Sequence, residues 1–301
     1  MSQAAAWARE GERSHAWLLR LMARFSLAAG RPLGRVVLRA IALYFMLFAP
    51  AAQRASRAYL TRVLGRAPRW RERYRHVLCF ASAIHDRVFL LTGRGAQLQV
   101  QVQGAEALHA ALQDGRGALL MGAHLGSFEV LRAMGRERGG LRVAMAMYED
   151  NARKLNATLA AIAPDALRDV IALGHVDAML RVRDRLDAGY LVGLLADRSL
   201  AADDACTRLP LLGADAPFPD GPWRLAAMLQ RPVFFMAGLY LGGNRYEVRF
   251  ERIADFRATP RGERQAAMAA AQQAYVQVLE RTLRAAPCNW FNFYDFWQTP
   301  E

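Results

Sequence analysis

Residues 119–129, LLMGAHLGSFE, decide how this chain is read. The apolar run over 117–123 predicts a buried strand that stops at His124. Gly126 and Ser127 break the strand and offer an N-cap, so a helix should start near Phe128 with Glu129 in its first turn. A strand-to-helix turn at the carboxyl end of a central strand is where open α/β sheets place their chemistry. An imidazole that can take a proton and a carboxylate that can fix its tautomer are the two parts of a general-base dyad. The same residues also fit a plainer account, a hydrogen-bonded turn followed by a carboxylate that the helix dipole favours.

On either side of this stretch the pattern predicts strands alternating with helices. LQVQVQ at 98–103 has the period of a half-buried strand, and a short helix over 105–112 leads into the central one. Further strands are expected at 141–147, 170–173 and 190–196, with helices near 152–162 and 176–186. Residues 233–241 and 246–253 flank GGNR, a hairpin signal that predicts an antiparallel edge. A long closing helix is read over 260–284. The expectation is an α/β fold: a mostly parallel central sheet flanked by helices, with an amino-terminal helical extension. At 301 residues the chain suits one α/β domain over 95–301 and a basic, amphipathic helical region over 1–94.

That helical region holds the whole charge excess. The formal net charge is +13, and residues 1–100 contain 17 Arg and no Lys against Glu10, Glu12, Glu72 and Asp86; the remainder balances. Such a surface attracts anionic headgroups, an acidic carrier protein or nucleic acid. Nucleic acid is disfavoured, because no helix-turn-helix, RNP or zinc pattern accompanies the charge. A helix over 14–30 sets Arg20 and Arg24 against Leu18, Leu21, Met22 and Phe25, the pattern of a helix lying on a membrane and equally of an ordinary surface helix. After Pro32, the charge-free run between Arg39 and Arg54 is shorter than the ~20 residues needed to cross a bilayer. It reads as an interfacial or half-inserted helix, with a buried core helix, or a tilted span in which Arg39 snorkels, as the alternatives. Nothing resembles a cleavable signal peptide. Two more helices are expected over 53–65 and 69–92, with His76 and His85 as packing residues. Cys79, Cys206 and Cys288 are odd in number and far apart, which fits neither a disulfide framework nor a zinc site.

His124, four intervening residues and Glu129 resemble the His-x4-Asp/Glu (HX4E) motif of the lysophospholipid acyltransferase superfamily, in particular its late lipid A acyltransferase branch. LVGLLADRS at 191–199 resembles that branch's strand ending in an acidic dipeptide, with Arg198 where the family often has Gln. FPDGP at 218–222 resembles its Phe-Pro-Glu-Gly block, Asp220 replacing Glu, and Pro232 before VFFMAGLYL resembles its last short motif. The amino-terminal third and the closing NWFNFYDFW at 289–297 also resemble a bacterial subgroup of predicted acyltransferases, some found in gene clusters for polyene or pigment-like lipids.

The resemblance implies transfer of a fatty acyl group from acyl carrier protein, or acyl-CoA, to a hydroxyl or amine of a membrane lipid or glycolipid. It implies no metal or redox cofactor, and a peripheral or monotopic place on the cytoplasmic face of a bacterial inner membrane. His124 would be the general base, oriented by Glu129. Backbone N–H groups after Gly126, with Arg198, would face the oxyanion. Asp197, Arg198, Pro219, Gly221 and Arg153 are the candidate substrate-binding residues, although FPDGP also reads as a plain turn and Arg153 as a solvated helix residue. The aromatic terminus could line an acyl channel or cap the core. Ser127 lacks the Gly-x-Ser-x-Gly elbow of a serine nucleophile. A lipid-binding protein that keeps the fold without turnover is the alternative function.

Overall fold

The computed structural model describes residues 16–138, 141–148, 169–173, 177–198 and 204–297. Three helices come first: α1 (Ala16–Phe48), α2 (Pro50–Leu64) and α3 (Trp70–Leu91). Then follow β1 (Gln99–Gln103), α4 (Ala105–Ala111), β2 (Leu119–Gly122), α5 (Phe128–Arg138), β3 (Val143–Tyr148) and β4 (Val170–Leu173). α6 (Ala178–Asp187) leads to β5 (Leu191–Leu195), β6 (Cys206–Leu211), β7 (Ala214–Pro219) and α7 (Gly221–Leu229). The long strands β8 (Pro232–Gly242) and β9 (Arg245–Asp255) precede α8 (Arg264–Ala285). The expected helix near 152–162 lies outside the described residues.

Among the described residues seven strands form one sheet in the order β1-β9-β8-β2-β5-β3-β4, with β2 at its centre. Every neighbouring pair is parallel except the β8–β9 hairpin. The hairpin is as expected, but its outer strand is not the edge: β1 adds to β9 in parallel register, Gln99 opposite Arg245 through Gln103 opposite Arg249. The exposed Gln side chains of β1 suit that place, because polar side chains blunt an edge against further pairing. A second, two-stranded sheet, β6–β7, was not anticipated.

Strand alternation feeds two cores. Leu119 and Met121 of β2, Val233 and Phe235 of β8, and Val192 of β5 face one way, onto α2, α6, α7 and α8. Leu120, Phe234 and Met236 face the other way, onto α4 and α5. Both faces are covered, which is why the central strands read as continuous apolar runs.

The break expected before Pro32 is present: Gly30 takes φ 76° and ψ 166° inside α1. Beyond it Arg31 and Arg35 reach the buried Asp86 of α3 at 2.7 Å each, and the hydroxyl of Tyr246 on β9 donates to the same carboxylate at 2.8 Å. Two of the arginines in the charge excess are therefore internal counter-ions. The opposite side of α1 leaves Val36, Tyr44, Leu47 and Phe48 exposed. No single described helix is long and apolar enough to cross a membrane; Gly30–Phe48 and Pro50–Leu64 pass such a test only as a pair bent by 95°. The helix over 14–30 is present from Ala16 onward, while the side chains that define its amphipathic pattern lie outside the described residues.

Candidate active site

The turn after β2 is shaped by close backbone approach. Gly126 has φ +67°, and a Cβ there would lie 2.0 Å from the carbonyl oxygen of Gly238 on β8. The Ser127 amide donates to that same oxygen at 2.8 Å. Only glycine fits a left-handed conformation pressed against a neighbouring strand. Gly193 of β5 has a matching role, since the Phe128 ring lies where its Cβ would be. α5 is thereby seated directly on the sheet, and His124 is held at the carboxyl end of β2.

β2 and β5 pair in parallel with Gly122 opposite Leu195, so the residues two beyond each, His124 and Asp197, emerge side by side. His124 Nδ1 meets Asp197 Oδ1 at 2.8 Å, and the His124 amide donates to Oδ2 at 3.0 Å. Asp197 is fully buried, while the His124 side chain is 28 % exposed and reachable from outside. A carboxylate on Nδ1 places the proton there and leaves the Nε2 lone pair outward.

This corrects the expected pairing. Glu129 is on the first turn of α5 as expected, but it accepts from Arg87 Nη2 at 3.0 Å and from Arg132 Nη1 at 3.2 Å. The helical turn carries its carboxylate toward α3, whereas sheet pairing delivers Asp197 to the imidazole. Asp197, expected to bind substrate, is instead the group on the ring. Neither Arg87 nor Arg132 was singled out from the sequence.

Electrostatics follow from that geometry. Burial alone would raise the Asp197 carboxyl, yet the adjoining His124 and Arg198 hold it well below the usual carboxylate range. Burial and the Arg198 charge lower the His124 imidazole, with Asp197 opposing them. The ring is therefore neutral near pH 7 and able to accept a proton. Arg198 Nε donates to Asn292 Oδ1 at 2.6 Å and Nη2 to the Phe291 carbonyl at 3.1 Å, with the guanidinium over the Tyr294 ring.

The aromatic terminus walls the site. The Phe291 amide donates to the His124 carbonyl at 2.7 Å, Gly126 donates to the Asn289 carbonyl at 2.8 Å, and Leu125 bridges Trp290. The amides of Gly126 and Ser127 are thus occupied, which removes Ser127 from the oxyanion donors expected after Gly126. Trp290 and Phe296 are buried, so the segment also caps the core. His76 is a packing residue: Nε2 donates to the Trp290 carbonyl at 2.7 Å and Nδ1 accepts from Ser56.

Pro219 ends β7 and Gly221 opens α7, with Asp220 accepting from Thr207 at 2.8 Å. This block reaches the site through packing: Phe218 meets Tyr275 and Phe296, and the Tyr275 hydroxyl donates to the Gly122 carbonyl at the end of β2. Arg153 lies outside the described residues. Among the described residues no three His, Cys, Asp or Glu side chains group so as to hold a metal ion.

No curated protein matches the chain. A turn at the end of a central parallel strand, presenting a histidine whose Nδ1 rests on a buried carboxylate, is an arrangement suited to proton transfer. Residues 11–299 match the family described as bacterial lipid A biosynthesis acyltransferase, and the chain accordingly belongs to that family of acyltransferases.

Proposed function

We propose that the protein transfers a fatty acyl group from the thioester of an acyl carrier protein, or of acyl-CoA, to a hydroxyl or amine of a membrane lipid or glycolipid. His124 is the general base. Its Nε2 takes the acceptor proton as the acceptor oxygen or nitrogen attacks the thioester carbonyl. The resulting imidazolium then protonates the departing thiolate as the C–S bond breaks. Asp197 keeps the proton on Nδ1 and stabilises the imidazolium. Arg198 adds a fixed positive charge beside the developing oxyanion, and first-turn amides of α5 are available to it. Glu129 has an indirect role, tying α5 to α3 through Arg87. Pro219 and Gly221 border the acceptor, with Arg153 as a further anion contact.

The observation that carries this reading is the 2.8 Å contact between the accessible His124 and the buried Asp197. The helical region 1–94 is the membrane-facing part, supported by the Arg excess and by the exposed apolar side of α1. It would hold the protein on the cytoplasmic face of the inner membrane as a peripheral or monotopic enzyme.

The test uses radiolabelled acyl carrier protein, total lipid extract, and purified wild type or H124A, with mass analysis of the product. Wild type should yield an acylated lipid and H124A less by a factor of about 10³ or more. Equal turnover by folded H124A would remove His124 from the mechanism, and no transfer from either thioester by wild type would favour the lipid-binding alternative.

A further inference from the structure

Asp197 does not hold His124 unaided. Its Oδ2 accepts three N–H groups: the His124 amide at 3.0 Å, Trp290 Nε1 at 3.2 Å and Asn292 Nδ2 at 3.1 Å. Its Oδ1 is left to the imidazole. A carboxylate with one oxygen loaded in this way cannot turn about its Cβ–Cγ bond without stranding buried donors, each costly to leave unpaired.

Both added donors come from the segment after α8, and both are rigidly set. The Trp290 ring is fully buried against Tyr59, Phe296 and Trp297, and its carbonyl accepts from His76. Asn292 is 1 % exposed and engaged at both ends, Nδ2 on Asp197 and Oδ1 on Arg198 Nε at 2.6 Å. One amide therefore fixes the separation between the carboxylate and the guanidinium that flank His124.

We infer that Trp290 and Asn292 are positioning residues for acyl transfer, acting through Asp197 to keep one carboxylate oxygen on the Nδ1 edge of His124. The inference rests on His124 being the base. A segment that merely closed the core would contribute to stability without setting the state of the imidazole.

The distinction is measurable as a titration. Among the described residues, the charged or titratable groups about the His124–Asp197 pair are Arg198 beyond β5, Tyr294 in the terminal segment and Tyr275 on α8, while Glu129 on α5 is engaged by its own two arginines. W290F keeps an aromatic ring and deletes one donor, so Asp197 gains freedom and the imidazole loses part of its partner. Its titration should move to lower pH. N292D replaces a donor with a second carboxylate beside Asp197 and should move the titration to higher pH. Opposite shifts from two changes in one segment are not what a packing defect produces.

The ring is followed by NMR of histidine-labelled protein, its signal assigned by loss in H124A, so this readout needs no substrate. Turnover is measured beside it. W290F is expected to lower kcat about tenfold with KM within twofold, the fold-change of one lost charge-assisted hydrogen bond. N292L serves if either variant fails to fold, and it should lower kcat and the titration together. A wild-type His124 titration in folded W290F and N292D would overturn the inference, as would shifted titrations with unchanged kcat. Failure of the base assignment is read separately, from undiminished turnover in H124A.

Discussion

Two carboxylates approach the turn that carries His124, one from the first turn of α5 and one from the end of β5, and they are compensated differently. Glu129 lies between two guanidinium groups, Arg87 and the nearly buried Arg132. Asp197 receives N–H dipoles on one oxygen and the imidazole on the other, with Arg198 beside it. Two cations cancel the charge of Glu129 and make it a structural tie. Neutral donors orient Asp197 while leaving its charge to act on the ring. The kind of partner, rather than spacing from the histidine, separates the roles we propose for them.

The comparison breaks most visibly in turnover. D197N should lower kcat by about 10³-fold, ~4 kcal/mol, because an amide facing Nδ1 favours the wrong tautomer, and its melting temperature should fall far less than its activity. Steady-state rates on folded protein check this, and a smaller loss than in E129Q would reverse the two roles.

E129Q should act on stability first. It removes the buried carboxylate charge that lies between Arg87 and Arg132, a cost of about 3 kcal/mol, measurable by denaturant unfolding. An unchanged midpoint with abolished turnover would return Glu129 to the chemistry.

His76 supplies a pH test of the wall behind Asp197. Burial lowers its pKa from the usual 6.5 to about 4, against the Trp290 hydrogen bond that raises it. The unfolded chain therefore binds more protons between those values. The contribution is complete above about pH 6.5 and is lost as pH falls toward 4, up to about 3 kcal/mol in all. H76Q should flatten that limb of the stability–pH curve, and an unaltered slope would assign it to other groups.

The smallest effect in solution is expected at the exposed side of α1. Replacing Leu47 and Phe48 with Ser should change unfolding free energy by no more than about 0.5 kcal/mol per site while reducing retention on anionic liposomes. Equal retention would move the membrane contact elsewhere.

Much of the architecture was legible because burial imprints period on sequence. The alternation over 98–103, the apolar runs of β2, β5 and β8, and the GGNR hairpin signal were all read correctly as elements. The edge was misplaced because a hairpin signal reports its own two strands and says nothing of a distant third; Gln103 and Glu247, joined across β1 and β9, are separated by 144. The two-stranded β6–β7 sheet escaped for a related reason. Prolines at 210, 217 and 219 interrupt its apolar pattern, and proline is tolerated there because such strands lie at edges.

The sequence by itself determined that a central strand ends in His124, that Gly126 and Ser127 break it, that Glu129 opens a helix, and that the positive charge gathers in the first third. Those are local properties, set by side-chain period, backbone freedom and composition. Only the tertiary structure decided which carboxylate serves the imidazole. Asp197 is 73 residues from His124, and its donor Asn292 is 95 further on. Parallel pairing of β2 with β5 joins the first two, and the terminal segment crossing the end of the sheet adds the third. A hint was present in the sequence, since GAH and LAD end two apolar strands in the same way. It became a contact only when strand order made those strands neighbours.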